Sequence, residues 1–144
     1  MILETGHGEI IEKPDDKAIK RIVAKTFKKK EHNFVIISHE DGTLYMQSRP
    51  MSESIDEQGC RFEYRDSNLR KHFAANNVPV ETVISVFQQF NRGDQDFRKA
   101  VRWRNISRQF DWSPENDESD EVKEIVATLT NVYAEYEAKK KGRS

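Results

Sequence analysis

Five cationic side chains surround one tryptophan in a short run that has evident capacity for binding. They are Arg98, Lys99, Arg102, Arg104 and Arg108, which lie around Trp103. No acidic residue lies between the first and the last of them. Arginine and aromatic side chains together bind phosphates and stack on bases, and the same residue types form the hot spots of protein–protein interfaces. The alternative is that Trp103 packs at the edge of a sheet while the arginines are solvated. The run therefore predicts either a binding surface or a solvated edge.

An acidic segment, from Asp111 to Glu124, directly follows the basic one. Such a segment could imitate a nucleic acid and cover the basic cleft of a toxin or nuclease, because complementary charge speeds association. It could equally be a soluble linker whose last carboxylates suit the positive end of a following helix. Both interpretations stay open from the sequence.

Cys60 and His72 are the nearest approach to a nucleophile and its base. Cys60 is the only cysteine of the chain, so it cannot form an intramolecular disulfide. It alternates with Phe62 and Tyr64 on the inward side of a predicted strand, whereas His72 falls in the outward class with Arg70. Side chains on opposite faces of a sheet cannot form a hydrogen-bonded pair. We therefore predict a core cysteine and no catalytic dyad.

The other chemistry-bearing patterns are missing from the sequence. The four histidines, His7, His32, His39 and His72, do not have the spacing of zinc ligands. No phosphate loop (GxxxxGKS or GxxxxGKT), GxGxxG or HExxH motif occurs. We therefore expect no cofactor, no metal, no catalytic residues and no enzymatic activity.

Length and charge narrow the class of protein. With 144 residues, 35% of them hydrophobic and 34% charged, the chain predicts one domain with a modest core and a densely charged surface. A net charge of −1 gives no strong overall field, so nucleic acid is not the expected partner. No signal-peptide pattern and no apolar run of about 20 residues occurs, which favours a cytoplasmic protein without membrane contact.

The hydrophobic periodicity predicts an α+β fold. Four strands, 33–38, 43–48, 60–65 and 69–74, are joined by short turns into an antiparallel meander, with residues 8–12 as an optional fifth strand at the edge. Helices that begin after Pro14 and Pro79 carry apolar stripes and should cover one face. The other face should show to water the side chains of Arg61, Glu63, Arg65, Arg70 and His72.

A long C-terminal helix is predicted from Ser119 to Lys139. Apolar residues recur there at three-four spacing, with an acidic start and a basic end that suit the helix dipole. We expect residues 1–112 to form the sheet domain, and 113–144 to form the acidic linker and the amphipathic helix packed on it. A homodimer through this helix is the alternative to a monomer.

The pattern from Arg61–Tyr64 through Val78–Pro79, Phe90 and Gly93 to Val101–Trp103 resembles small bacterial immunity proteins, the antitoxins of polymorphic and contact-dependent toxin systems. The resemblance covers about residues 33 to 104. It implies a non-enzymatic protein that binds a cognate toxin or effector and occludes its active site. The expected partner-binding residues are Arg61, Glu63, Arg65, Arg70, His72, Arg102, Trp103 and Arg104. The alternatives are a secretion-type chaperone that acts as a dimer, and a nucleic-acid-binding module that uses Arg98–Arg108.

Overall fold

The computed structural model describes residues 1–52, 59–110 and 112. Its main feature is an antiparallel sheet. The strands are β1 (Ile2–Thr5), β2 (Ile10–Glu12), β3 (Val35–Ser38), β4 (Leu44–Pro50), β5 (Cys60–Asp66), β6 (Lys71–Val78) and β7 (Arg104–Asn105). Their spatial order is β2-β1-β3-β4-β5-β6-β7, so the four central strands form a meander between two added edges. The helices are α1 (Asp16–Phe27), α2 (Val80–Arg92) and α3 (Phe97–Ala100).

The predicted fold class was wrong in its proportions. The sheet has seven strands instead of four or five, and it dominates the described residues, which contain only three α-helices, of 12, 13 and 4 residues, and one 3₁₀ turn, Ser107–Gln109. The predicted helix from Ser119 to Lys139, with the whole of 113–144, lies outside the described residues. Two of the added strands, β1 and β7, are too short to show an alternating pattern. They form because a neighbour supplies hydrogen-bond partners: β1 pairs with both β2 and β3, and β7 pairs with β6.

The central meander lies near the predicted positions, but its fourth strand runs over Lys71–Val78 instead of 69–74. Residues 40–43 connect β3 to β4: the Gly42 N–H donates to the His39 carbonyl (2.9 Å), and the His39 N–H donates to the Leu44 carbonyl (2.9 Å). Gly42 adopts a φ of +73° with nothing near its missing side chain, so the turn needs glycine for conformation alone. The registers that follow place Glu63 opposite Gln47 on β4 and Ala74 on β6.

The start of α1 and the end of α2 are each defined by a cap. Asp15 caps α1 by accepting a hydrogen bond from the Ala18 N–H (2.8 Å). Gly93 ends α2 in the left-handed conformation, and its N–H bonds to the last turn of the helix. The amide of Asn91 donates to the Pro14 carbonyl (2.9 Å), which joins the end of α2 to the start of α1. Within residues 1–52, 59–110 and 112, no helix has the length and apolar character required to span a membrane.

The main core lies between the helices and one face of the sheet. From the sheet it takes residues such as Leu3, Ile37, Met46, Phe62 and Tyr64; from the helices it takes Ile19, Ile22, Val23, Val83, Val86, Phe87 and Phe90. Phe62 is fully buried at its centre, with edge-to-face contacts to Phe87 (5.3 Å between ring centroids) and Trp103 (5.0 Å). Aromatic pairs of this geometry stabilise beyond their buried area. Phe62 therefore joins β5 to α2 and to the segment that leads into β7.

Substitution of Phe62 by alanine is expected to lower the free energy of unfolding by about 3–5 kcal/mol, because a buried aromatic ring is lost and the cavity cannot fully collapse. Leu69→Ala is the control, since Leu69 is 62% exposed in the β5–β6 turn, and it should change stability by less than about 0.5 kcal/mol. Urea denaturation measures both. Equal effects of the two substitutions would contradict this account of the core.

Candidate partner-binding surface

The second face of the sheet, which the alternation of β5 and β6 predicts to be open, is buried in its centre. The exposed fractions are 5% for Glu63, 4% for Arg65 and 0% for His72. The prediction that these three side chains face water was therefore wrong. The alternation itself is right, because all three lie opposite to the face that carries Phe62. What the alternation does not reveal is that the chain returns over this face after β7.

The returning segment, residues 106–110 with Trp112, is called here the aromatic strap. The Ile106 N–H donates to the His72 carbonyl (2.9 Å), and the His72 N–H donates to the Ser107 hydroxyl (2.9 Å). The ring of Phe110 then lies 4.2 Å from that of His72, measured between centroids. The Trp112 indole is held by its N–H bond to the Ser107 carbonyl (2.9 Å). These contacts form a second, smaller core with Ala74.

The strap also explains why an arginine can be buried on this face. The Arg65 guanidinium lies 4.1 Å from the centre of the Trp112 ring and 5.3 Å from that of Phe110. A cation over an aromatic face is attracted by the negative charge of the π system. Arg65 is thus part of the packing under the strap and does not present its charge to solvent.

Under the strap, Glu63 and His72 form a hydrogen-bonded pair. His72 Nε2 lies 3.1 Å from Glu63 Oε1, and the Gln47 amide donates to Glu63 Oε2 at 2.7 Å. Burial raises the pKa of Glu63, but the hydrogen bonds from His72 and Gln47 and the charges of His72 and Arg61 outweigh it, so the pKa lies below its ordinary value. Glu63 is therefore an ionised carboxylate held inside the protein at neutral pH.

A carboxylate–imidazole pair can perform acid–base chemistry, but this one has no access to a substrate in the described fold. Both partners are buried, and the Phe110 ring covers the imidazole. Cys60 does not join them: it lies in the main core on the other face, which confirms the prediction of a core cysteine. Burial raises the pKa of the Cys60 thiol to about 11, so the reactive thiolate is scarce.

The described residues contain no cluster of three or more His, Cys, Asp or Glu side chains that could hold a metal ion. His7 and His32 come within 6.1 Å, measured between ring centroids, but their rings meet edge to face. His7 Nε2 is 2.7 Å from the Glu31 carbonyl oxygen. That contact makes this pair part of the loop packing.

Seven exposed cations belong to the start of β6, to β7 and to the segments of chain that flank these two strands. Because β7 runs antiparallel to β6, with Arg104 opposite Ala74 and Asn105 opposite Phe73, the chain after Arg104 runs back toward the start of β6. The set, called here the basic edge, comprises Arg70, Lys71, Arg98, Lys99, Arg102, Arg104 and Arg108, all of which are exposed. Within the part of the chain that the structure describes, none of them forms an ion pair.

The predicted site residues therefore do not form a single surface. Arg70, Arg102 and Arg104 lie on the basic edge. Arg61 is half-buried and donates to the Asn76 side chain (2.9 Å). Glu63, Arg65 and His72 lie beneath the aromatic strap.

Trp103 is packed against the main core instead of standing free for a partner. Its indole N–H donates to the Phe97 carbonyl (3.2 Å), and its ring contacts Phe62. This is the position that the alternative interpretation gave it, a tryptophan packed at the sheet edge beside solvated arginines. Trp103 therefore anchors the basic edge to the fold.

Sequence reasoning missed Lys71 and the strap. Lys71 stands directly after Arg70 and becomes relevant only when the β6–β7 pairing is known. The strap had a visible signal, because Ile106, Phe110 and Trp112 are the only large apolar residues in a stretch of polar ones. Their spacing fits neither a helix nor a strand, so it did not predict an element.

The near-neutral chain conceals a separation of charge. The described residues include nineteen lysines and arginines against thirteen aspartates and glutamates, a formal charge of +6. The remaining residues, 53–58, 111 and 113–144, include five against twelve, a formal charge of −7. The weak overall field therefore does not describe the field near the basic edge.

No protein-family model, curated protein or solved structure matches this chain. The resemblance to immunity proteins thus stays a prediction from the sequence pattern.

Glu63→Gln is expected to lower the free energy of unfolding by about 1.5–3 kcal/mol at neutral pH, because charge-assisted hydrogen bonds inside the protein are lost. Since the pKa of Glu63 is lower in the folded protein than its ordinary 4.5, the carboxylate stabilises fully above that value. The contribution is lost as the pH falls through the lowered folded value. The difference between the two proteins should therefore shrink in acid.

Urea denaturation of both proteins between pH 7 and pH 3 measures this difference. Glu40→Gln is the matched control, because Glu40 is exposed in the β3–β4 turn. A Glu63→Gln effect that is the same at every pH would contradict the ionised, buried carboxylate.

The folded protein is expected to react with a thiol reagent at pH 8 on the order of a hundred times more slowly than the protein unfolded in urea. With the pKa of Cys60 at about 11, about one thiol in a thousand is ionised at that pH, and burial blocks access as well. The absorbance of the released thiolate measures the rate. Comparable rates in the two states would show that Cys60 is an accessible nucleophile.

Proposed function

We propose that this chain is a non-enzymatic, immunity-type protein of the bacterial cytoplasm that binds a cognate toxin domain and neutralises it by covering its active site. The basic edge is the surface that makes the contact. The observation that carries the proposal is the position of these cations: they are exposed, they are not paired with any described carboxylate, and they stand on backbone fixed by Trp103 and the strap.

A fixed basic surface suits inhibition of a protein. Arginine is enriched among the residues that dominate binding energy, and a field of one sign steers an oppositely charged partner into place. Rigid backbone under the charges reduces the entropy lost on association. The partner would therefore present an acidic surface beside its active site.

The buried ionisable side chains support a binding function more than a catalytic one. The groups that most resemble a catalytic pair, Glu63 and His72, stabilise the fold beneath the strap. Cys60 is buried with a raised pKa. The cations of the basic edge, in contrast, are exposed to solvent.

A nucleic-acid-binding module is the second candidate, and the absence of acidic residues between Arg98 and Arg108 favours it. The described surface lacks the other half of that chemistry. The large apolar side chains exposed on it are Met51 and Leu69, neither of them aromatic, so no described aromatic platform is free for base stacking. Phosphate contacts alone would give binding that weakens steeply with salt.

Charge reversal at the basic edge, R102E/R104E/R108E, is expected to abolish protection against the toxin and to weaken its binding on the order of a hundredfold or more, because like charges then face each other across the interface. The measurement is the growth of cells that co-express the chain with each protein encoded beside it, followed by titration of the purified pair. The matched control is K17E/K20E/R21E, which reverses three exposed cations on α1.

Two results would count against the proposal. If no neighbouring protein is toxic and neutralised by the wild-type chain, the inhibitor function fails. If the basic-edge and control variants protect equally well, the inhibitor function stands but the surface is wrong. Recovery of nucleic acid that is released by salt and lost in R102A/R104A would establish the second candidate.

A further inference from the structure

A groove lies at the other end of the fold, where the end of α1 meets the end of β4 and the start of α2. Its volume is about 740 Å³, within the range of clefts that hold small molecules. Its apolar surface comes from Ala24, Phe27, Pro50, Met51 and Val80. Phe27 and Pro50 are buried and form a firm floor, whereas Met51 is 39% exposed and reaches the opening.

One side of the groove is strongly cationic. Lys28, Lys29 and Lys30 follow the last residue of α1 and all three line the groove. None of them forms an ion pair with a described carboxylate, and no described carboxylate lines the groove. The Asn33 side chain fixes the loop beneath them by donating to the Lys29 carbonyl (3.1 Å).

An apolar floor beside three lysines that no described carboxylate pairs with is complementary to a particular ligand chemistry. An apolar body on the floor removes hydrocarbon surface from water, and an acidic group at one end meets the lysines. We propose that the groove binds a small amphipathic anion: an aliphatic chain or similar apolar body that carries one carboxylate. The site shares no residue with the basic edge and does not depend on the proposed toxin partner.

The probes are octanoate and decanoate, used below the concentrations at which they aggregate, with decanol as the uncharged control. Binding is followed by the amide NMR signals of the full chain. Decanoate should shift the signals of Lys28–Asn33, Met51 and Val80 with 1:1 saturation. Each added methylene buries more apolar surface, so decanoate should bind up to about tenfold more tightly than octanoate. Decanol should bind at least about fivefold more weakly than decanoate.

The variant K28A/K29A/K30A separates charge from apolar contact. It should weaken decanoate binding by about fivefold or more, since each exposed charge pair contributes modestly, and leave decanol binding unchanged. K17A/K20A/R21A removes three exposed cations elsewhere on α1 and should bind decanoate like the wild type. Because all these residues are on the surface, both variants are expected to fold.

Four results would overturn the proposal. Equal affinity for decanol and decanoate would show that the lysines play no part in binding. An equal loss of decanoate affinity in K28A/K29A/K30A and K17A/K20A/R21A would show the same. Shifts spread over the whole chain would mean detergent-like binding. A blocked hexapeptide of alternating glutamate and leucine that binds the groove more tightly than decanoate would show a docking site for a protein segment instead.

Discussion

Strand β5 is buried on both of its faces, and this double burial positions the other described elements. On one face Phe62 and Tyr64 enter the main core, and on the other Glu63 and Arg65 lie under the aromatic strap. A strand in the middle of an antiparallel sheet usually faces water on one side. Here the chain after β7 supplies a second layer. The two cores therefore meet at one strand, and a change at β5 is felt on both sides of the sheet.

The second core differs from the first in chemistry. The first is made of aliphatic and aromatic side chains, which gain stability from burial itself. The second contains an ionised carboxylate and a guanidinium, whose removal from water is costly unless each has partners. Glu63 has His72 and Gln47, and Arg65 has the rings of the strap. Since these partners come from β4, β6 and the strap, the network requires all of them to be in register.

The same arrangement determines which cations reach solvent. Trp103 enters the main core, and the strap crosses the second face, so the backbone between them is held from both sides. The arginines that flank Trp103 then project from a fixed edge. At the opposite end, the lysines after α1 stand beside an apolar groove instead of an aromatic anchor. The basic edge and Lys28–Lys30 are thus both rich in cations but have different neighbours, which is why we propose different ligands for them.

Local sequence was sufficient where a signal depends on near neighbours. Asp15 marked the start of α1 and Gly93 the end of α2, because a cap needs only the adjacent backbone. The alternation of Cys60, Phe62 and Tyr64 identified the inward side of β5.

The pairing of strands that are distant in sequence could not be predicted. Strands as short as Ile2–Thr5 and Arg104–Asn105 exist only because β3 and β6 offer them hydrogen bonds. For the same reason Glu63, Arg65 and His72 could not be recognised as buried: their alternation gives the face, whereas their burial depends on a segment more than thirty residues away from His72 in sequence. The sequence by itself determined the faces, the caps and the supply of charge; tertiary structure alone decided which of those charges lie inside, because burial is a property of the neighbours that a folded chain brings from afar.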